Sequence, residues 1–265
     1  MKDRRPVRPG ESRSRLFDVK VAPPHRRKDP LLSTPALHPG DSLTVGGHAL
    51  PVWPKGQRVE TWRNTRSVLV TRFTDHELYA PSLRRMALER STDPRLAHQF
   101  KQGAGVGSAK VYDIDKWPNT GASLVNARAL AFFRLATGSE SAVVDLSWAS
   151  VYHDGDYCLP HSHPRTLISV IYVLDVGDTT PTGGVNGTFM FADPRLAACC
   201  CDEEGYLSTP GAPVFEPGMM MLFPGKVVHC VSPYHGDRPR ITMSWDLNKA
   251  AREGDPLPNW VQRPG

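Results

Sequence analysis

Leu124, Ala127, Leu130, Ala131 and Leu135 recur at helical spacing and define one side of a helix over Ala122–Ala136, which Gly138 stops. A second helix is expected from a cap at Thr74 or Asp75 to about Arg90, with Leu78, Leu83, Met86 and Leu88 on its apolar side. Before it, Ser67–Phe73 (SVLVTRF) reads as a first strand; between the two helices, Gly103–Gly107 reads as a flexible break. Beyond Gly138 the period shortens to that of a strand. Ala142–Tyr152 is one strand, and Thr166–Leu174 (TLISVIYVL) is strongly β-branched and nearly continuous, as a strand covered on both faces would be. Further strands are expected over Gly187–Ala192, Pro213–Phe215, Met219–Phe223, Lys226–Val231 and Arg240–Leu247, separated by turns bearing Gly and Pro. Short strands following helices predict a mainly β fold with flanking helices (α+β), a jelly-roll, cupin-like core packed by helices on its outside.

Residues 1–60 carry no such period. Pro30, Pro35, Pro39, Pro51 and Pro54 with Gly40, Gly46 and Gly47 punctuate them, so they read as a basic, Pro-rich, disordered tail and linker. A single domain is expected over 61–250, with a strand and helical support in 61–140 and the β core in 141–250; residues 251–265 read as a C-terminal tail. The net charge of +5 hints at nucleic acid, but its location weakens the hint. Residues 1–30 hold ten Lys/Arg and four Asp/Glu, leaving 22 and 23 in the remainder. The folded part is near neutral, and nucleic acid is not the expected partner; only the basic tail suits an acidic one.

No run approaches the roughly eighteen apolar residues of a membrane span, and no apolar segment follows the Arg-rich N-terminus as in a secretory signal. Five cysteines, odd in number and without C-x-x-C spacing, point to a reducing cytoplasm rather than a disulfide framework or a thiolate zinc site. Cys199, Cys200 and Cys201 are consecutive and cannot easily converge on one ion. Met219–Met221 reads as core filling in a strand, and Asp193-Pro194-Arg195 as a turn.

The candidate chemistry lies in four residues. His161 and His163 are two apart, so an extended chain turns both imidazoles toward one point. His229, on a later strand after Pro224-Gly225, can complete one face of a metal's coordination shell and leave the other face open, as a catalytic iron requires. Eleven residues on, Arg240 offers the side chain best suited to hold a carboxylate by two parallel hydrogen bonds. Metal site and carboxylate clamp together suggest an oxygenase consuming a small diacid.

The segments Gly155–Pro164 (GDYCLPHSHP), Ile168–Val173, Gly187–Phe191, Asp193–Arg195, Pro217-Gly218, Leu222–Pro224, His229 and Arg240–Ser244 resemble the 2-oxoglutarate–Fe(II) oxygenase family over residues 145–246. The resemblance implies a double-stranded β-helix, a mononuclear non-haem Fe(II), and 2-oxoglutarate with O2 as co-substrates. The implied outcome is hydroxylation of an unactivated C–H bond with release of succinate and CO2. It implies that His161, His163 and His229 hold the metal and that Arg240, helped by Thr242 or Ser244, pairs with the far carboxylate of 2-oxoglutarate. No catalytic residue beyond the ligands is implied. Tyr172 is either a further hydrogen-bond donor to that site or a core aromatic. Most 2-oxoglutarate oxygenases use His-x-Asp with a distal His, whereas His163 stands at the carboxylate's position here. Asp154 or Asp156 is the alternative third ligand.

Two other readings stay open. A cupin-type dioxygenase or isomerase fits the histidine spacing, but Leu167 and Ile168 stand where its glutamate would fall, and it has no use for Arg240. A noncatalytic β-sandwich binding module leaves three convergent histidines without a role. The prime substrate, a small molecule or a peptide, has no readable code; a homodimer is one option for the oligomeric state.

Overall fold

The computed structural model describes residues 37–63, 67–102, 105–179, 185–193 and 212–250. Their strands, numbered in chain order, form three antiparallel sheets. The largest runs β3 (Glu60–Thr61), β4 (Leu69–Arg72), β11 (Met219–Pro224), β9 (Ile168–Asp175), β13 (Arg240–Asn248), β7 (Val143–Tyr152), β6 (Gly105–Tyr112), β5 (Ala97–Gln102). A smaller sheet runs β10 (Phe189–Phe191), β12 (His229–Val231), β8 (Cys158–His161). A separate hairpin pairs β1 (Ser42–Val45) with β2 (His48–Pro51). The fold is a double-stranded β-helix flanked by helices α1 (Ala80–Ser91) and α2 (Thr120–Thr137).

Period-two alternation assigns the two faces of the large sheet. Val170, Tyr172 and Leu174 of β9 and Ile241, Met243, Trp245 and Leu247 of β13 pack with Leu83, Leu124 and Phe132 of the helices. Each fully buried aliphatic or aromatic side chain there stabilises by about 1.5–3 kcal/mol. On the opposite face, Tyr152, Ile171, Met221 and Phe223 meet Cys158, Phe189, Phe191 and Val231 of the small sheet. β13 is therefore buried on both sides, and its inner-facing positions are Arg240, Thr242, Ser244 and Asp246. Helix α2 begins at Asn119, whose Oδ1 accepts from Ala122 N at 3.1 Å, and ends at Gly138 as its spacing foretells.

Several expectations are corrected. The stretch to residue 60, expected as linker, is folded from Leu37 on; residues 1–36 and the tail 251–265 lie outside the described residues. Gly46 and Gly47 (φ 57° and 84°) form a two-residue hairpin turn that L side chains adopt poorly. Val45, Leu50 and Val52 are buried, and Arg128 of α2 donates to the carbonyls of Pro51 and Val52 at 2.9 and 3.2 Å. Asp75 caps no helix. His76–Leu78 is a 3-10 turn, and the Asp75 carboxylate instead takes both ends of the buried Arg128 guanidinium at 2.7 and 2.5 Å. Gly105–Gly107, expected in a break, open β6, and Pro213–Phe215 is irregular rather than a strand. Among the described residues no helix is long and apolar enough to cross a membrane.

Candidate metal and co-substrate site

β8 and β12 pair with His161 directly opposite His229, which brings their ring centroids to 4.4 Å. His163 is not on the strand. It lies two residues past the end of β8, where its N–H donates to Gly225 O at 2.7 Å and its carbonyl accepts from Thr166 N at 3.0 Å. A Cβ on Gly225 would sit 2.5 Å from Thr166 O and 3.0 Å from His163 O, so glycine alone allows this approach. The His163 ring comes within 5.2 Å of His161 and 5.3 Å of His229, with Trp148 stacked on it at 5.6 Å. One ligand atom from each of the three histidines falls within 4.8 Å of the others.

The second ring nitrogens fix which atom faces inward. His161 Nδ1 donates to Leu159 O at 2.8 Å and His229 Nδ1 to Val227 O at 2.9 Å. His163 Nδ1 is 2.8 Å from Asp246 Oδ2, and Asp246 Oδ1 accepts from Ser169 Oγ at 3.1 Å. Carbonyls and carboxylates only accept, so each Nδ1 carries its hydrogen and each Nε2 keeps a lone pair for a metal. Burial first, and then the neighbouring His161, lowers the His229 pKa to about 3, keeping that ring neutral. Burial also acts to lower His161, but the Cys158 thiol and the Leu159 carbonyl outweigh it and raise its pKa.

The same pocket carries Arg240, Thr242 and Ser244. Arg240 is 2% exposed, and its buried Nη1 has no hydrogen-bond partner among the described residues. Its guanidinium lies over Tyr152 at 5.0 Å and Phe215 at 5.5 Å, and burial lowers its pKa. A buried cation without a counter-charge costs several kcal/mol, a cost that a carboxylate bound in the pocket would offset. The donor set therefore fits 2-oxoglutarate: imidazoles for a metal at one part of the pocket, and at another a buried guanidinium whose Nη1 has no partner among the described residues, suited to a distal carboxylate.

Three candidates fall elsewhere. Tyr172 points to the helical face of β9, where its hydroxyl donates to Tyr79 Oη at 2.9 Å and lies 2.5 Å from His76 Nδ1. Its even position in β9 is the reason: Ser169 and Ile171 face the pocket and Tyr172 does not. Asp154 is exposed and pairs with His235 at 3.1 Å; Asp156 turns to its own loop and accepts from His153 N at 2.8 Å. Neither carboxylate stands with the three histidines. The carboxylate that does belong there, Asp246, went unread in the sequence. It sits two residues past Ser244 in the same period-two series as Arg240, a signal open to inspection.

Residues 146–246, 101 of 265, match the family model described as "Putative 2OG-Fe(II) oxygenase". The match spans the β core, from β7 to β13. No curated protein matches the chain. Among solved structures, this chain is similar to the non-heme alpha ketoglutarate dependent carbocyclase SnoK from nogalamycin biosynthesis. That likeness has 14% identity and a TM-score of 0.50, covering 73% of this chain and 89% of that one. The epimerase SnoN from the same biosynthesis gives 13% identity and a TM-score of 0.51, covering 71% and 81%. EctD from S. alaskensis, solved with 2-oxoglutarate and 5-hydroxyectoine, gives 16% and 0.50, covering 79% and 80%. At such identities the likeness is one of fold.

Proposed function

We propose that the chain is an Fe(II)- and 2-oxoglutarate-dependent oxygenase that hydroxylates a small-molecule or peptidyl substrate in the cytoplasm, releasing succinate and CO2. One observation carries the reading: three imidazoles with Nε2 inward and a buried guanidinium, whose Nη1 has no partner among the described residues, line a single pocket. His161, His163 and His229 would hold Fe(II). Arg240 would hold the distal carboxylate of 2-oxoglutarate, with the Thr242 and Ser244 hydroxyls beside it. When bound, iron and 2-oxoglutarate supply the O2 activation that oxidises a C–H bond.

The chain's own residues do the rest. Leu159 O, Val227 O and Asp246 keep the protons on Nδ1 and aim the three rings. Phe189 and Phe223, at 5.4 and 5.0 Å from His229, and Trp148 over His163 shield the ligands from water. No further acid or base is needed, since the oxidation requires no proton transfer from a side chain. A cupin without 2-oxoglutarate leaves the buried Arg240 charge unexplained, and a binding module leaves the histidines so.

The test is anaerobic binding of Fe(II) and then 2-oxoglutarate, followed by O2-dependent succinate formation, for wild type and Arg240→Ala. Wild type should form succinate. The variant should keep Fe(II) and lose 2-oxoglutarate affinity by about 100-fold, the roughly 3 kcal/mol of a desolvated charge-assisted pair. Wild-type protein that binds Fe(II) but ignores 2-oxoglutarate would sink the oxygenase reading in favour of the cupin.

A further inference from the structure

Arg240 is not the only cation in the pocket. Lys110, on β6, also lines it, and its Nζ donates to Ser150 Oγ at 2.8 Å while lying 5.4 Å over the Trp148 ring. No carboxylate pairs with Lys110 among the described residues. A second donor there is also unmatched: Trp148 Nε1 is buried and has no hydrogen-bond partner. Lys110 has a hydroxyl and an aromatic face in contact, while the Cys158 thiol and the Asp246 carboxylate act on it only through space, so its burial is costly unless an anion joins it.

Register separates this point from the Arg240 end. Lys110 is opposite Ser150, and Ser150 is opposite Thr242, so β7 lies between the strands of the two cations. With neighbouring strands about 4.8 Å apart, their backbones are about 10 Å apart. Arg240 is a further two residues along β13. The two cations therefore enter the pocket from separate strands. Charge gives room for a second anion. Three neutral imidazoles, a divalent metal, Arg240, Lys110 and the Asp246 carboxylate, set against a 2-oxoglutarate dianion, leave one positive charge uncompensated.

We infer that the prime substrate carries a carboxylate, received by Lys110 Nζ with the Ser150 hydroxyl and Trp148 Nε1, and an apolar body that lies among Trp148, Phe189 and Phe215. One ammonium and two neutral donors suit a monoanion; a phosphate dianion would require more. Burial pushes the Lys110 pKa down to about 8, which leaves it charged at neutral pH and ready to gain from a counter-ion. The inference rests on the oxygenase reading only for the metal and co-substrate that share the pocket.

The test uses protein loaded with redox-inert Zn(II) and 2-oxoglutarate. Hexanoate, 3-phenylpropionate and indole-3-acetate, each beside its primary carboxamide, are titrated by saturation-transfer NMR. Wild type should bind carboxylates at least tenfold tighter than the amides. Lys110→Met should abolish the preference while holding 2-oxoglutarate within about twofold, which also shows the variant's site to be folded; Lys110→Arg should restore it. Equal binding of acids and amides by wild type overturns the proposal. So does a loss of 2-oxoglutarate binding in a Lys110→Met protein that melts like wild type, because Lys110 would then serve the co-substrate. If 2-oxoglutarate binds neither protein yet the acid preference persists and requires Lys110, the oxygenase reading falls and the Lys110 site stands.

Discussion

Asp246→Asn removes one negative charge and almost nothing else. The Asp246 side chain is buried, one oxygen on His163 Nδ1 at 2.8 Å and the other on Ser169 Oγ at 3.1 Å. Asparagine can keep both contacts, with its oxygen on His163 and its amide on the serine oxygen. What it loses is charge assistance: a hydrogen bond to a charged group contributes about 1.5–3 kcal/mol against about 0.5–1.5 for a neutral one. The difference, about 1–1.5 kcal/mol, predicts roughly tenfold weaker metal binding. Asp246→Ala goes further, since it strands the Nδ1 hydrogen and frees the ring to turn, and should approach the 100-fold end of what such partners contribute. Competition between the protein and a calibrated chelator for Fe(II), under anaerobic conditions, reads both. If neither variant shifts the Fe(II) affinity beyond twofold, His163 is not a ligand, and the inference from its hydrogen bond to its role is wrong.

Two further outcomes follow from the geometry. Gly225→Ala should displace the loop holding His163, because its Cβ would meet Thr166 O at 2.5 Å; tenfold or greater loss of Fe(II) affinity with the β fold retained by circular dichroism is expected, and unchanged affinity would refute it. His229 (pKa about 3) and His76 are both depressed, chiefly by burial, so each binds a proton more readily once unfolded, below pH 6.5. Their contribution is full above 6.5 and is lost as pH falls toward the folded pKa, about 2 kcal/mol from His229 alone at pH 5; urea unfolding of metal-free protein with no loss between pH 7.5 and 5 would contradict this.

Much of this was legible in the sequence where one physical rule governed the local choice. β9 showed as a strongly β-branched run because both faces are covered, and α2 showed through its period and its Gly138 stop. The convergence of the three histidines was legible for a partly different reason than their spacing suggested. His161 and His229 meet as cross-strand partners, but His163 reaches them from a turn held by Gly225, a contact no strand periodicity encodes. Proline density hid β1 and β2, although Gly46-Gly47 between short apolar runs is a hairpin signal. Tyr172 was ambiguous because a strand buried on both sides gives no polar clue to which face is which. Asp75 illustrates tertiary override: a residue suited to capping serves a buried arginine 53 positions away.

The alternation along β13 has a consequence for how the protein comes to be active. Ile241, Met243, Trp245 and Leu247 fasten the strand to the helices, while Arg240, Thr242, Ser244 and Asp246 face the pocket. A slip of one residue would exchange the sets, driving a guanidinium and a carboxylate into the apolar core and exposing a tryptophan to the site. A slipped register is thus strongly destabilised relative to the native one. The strand that presents the site's polar residues is therefore also the one whose register the core enforces.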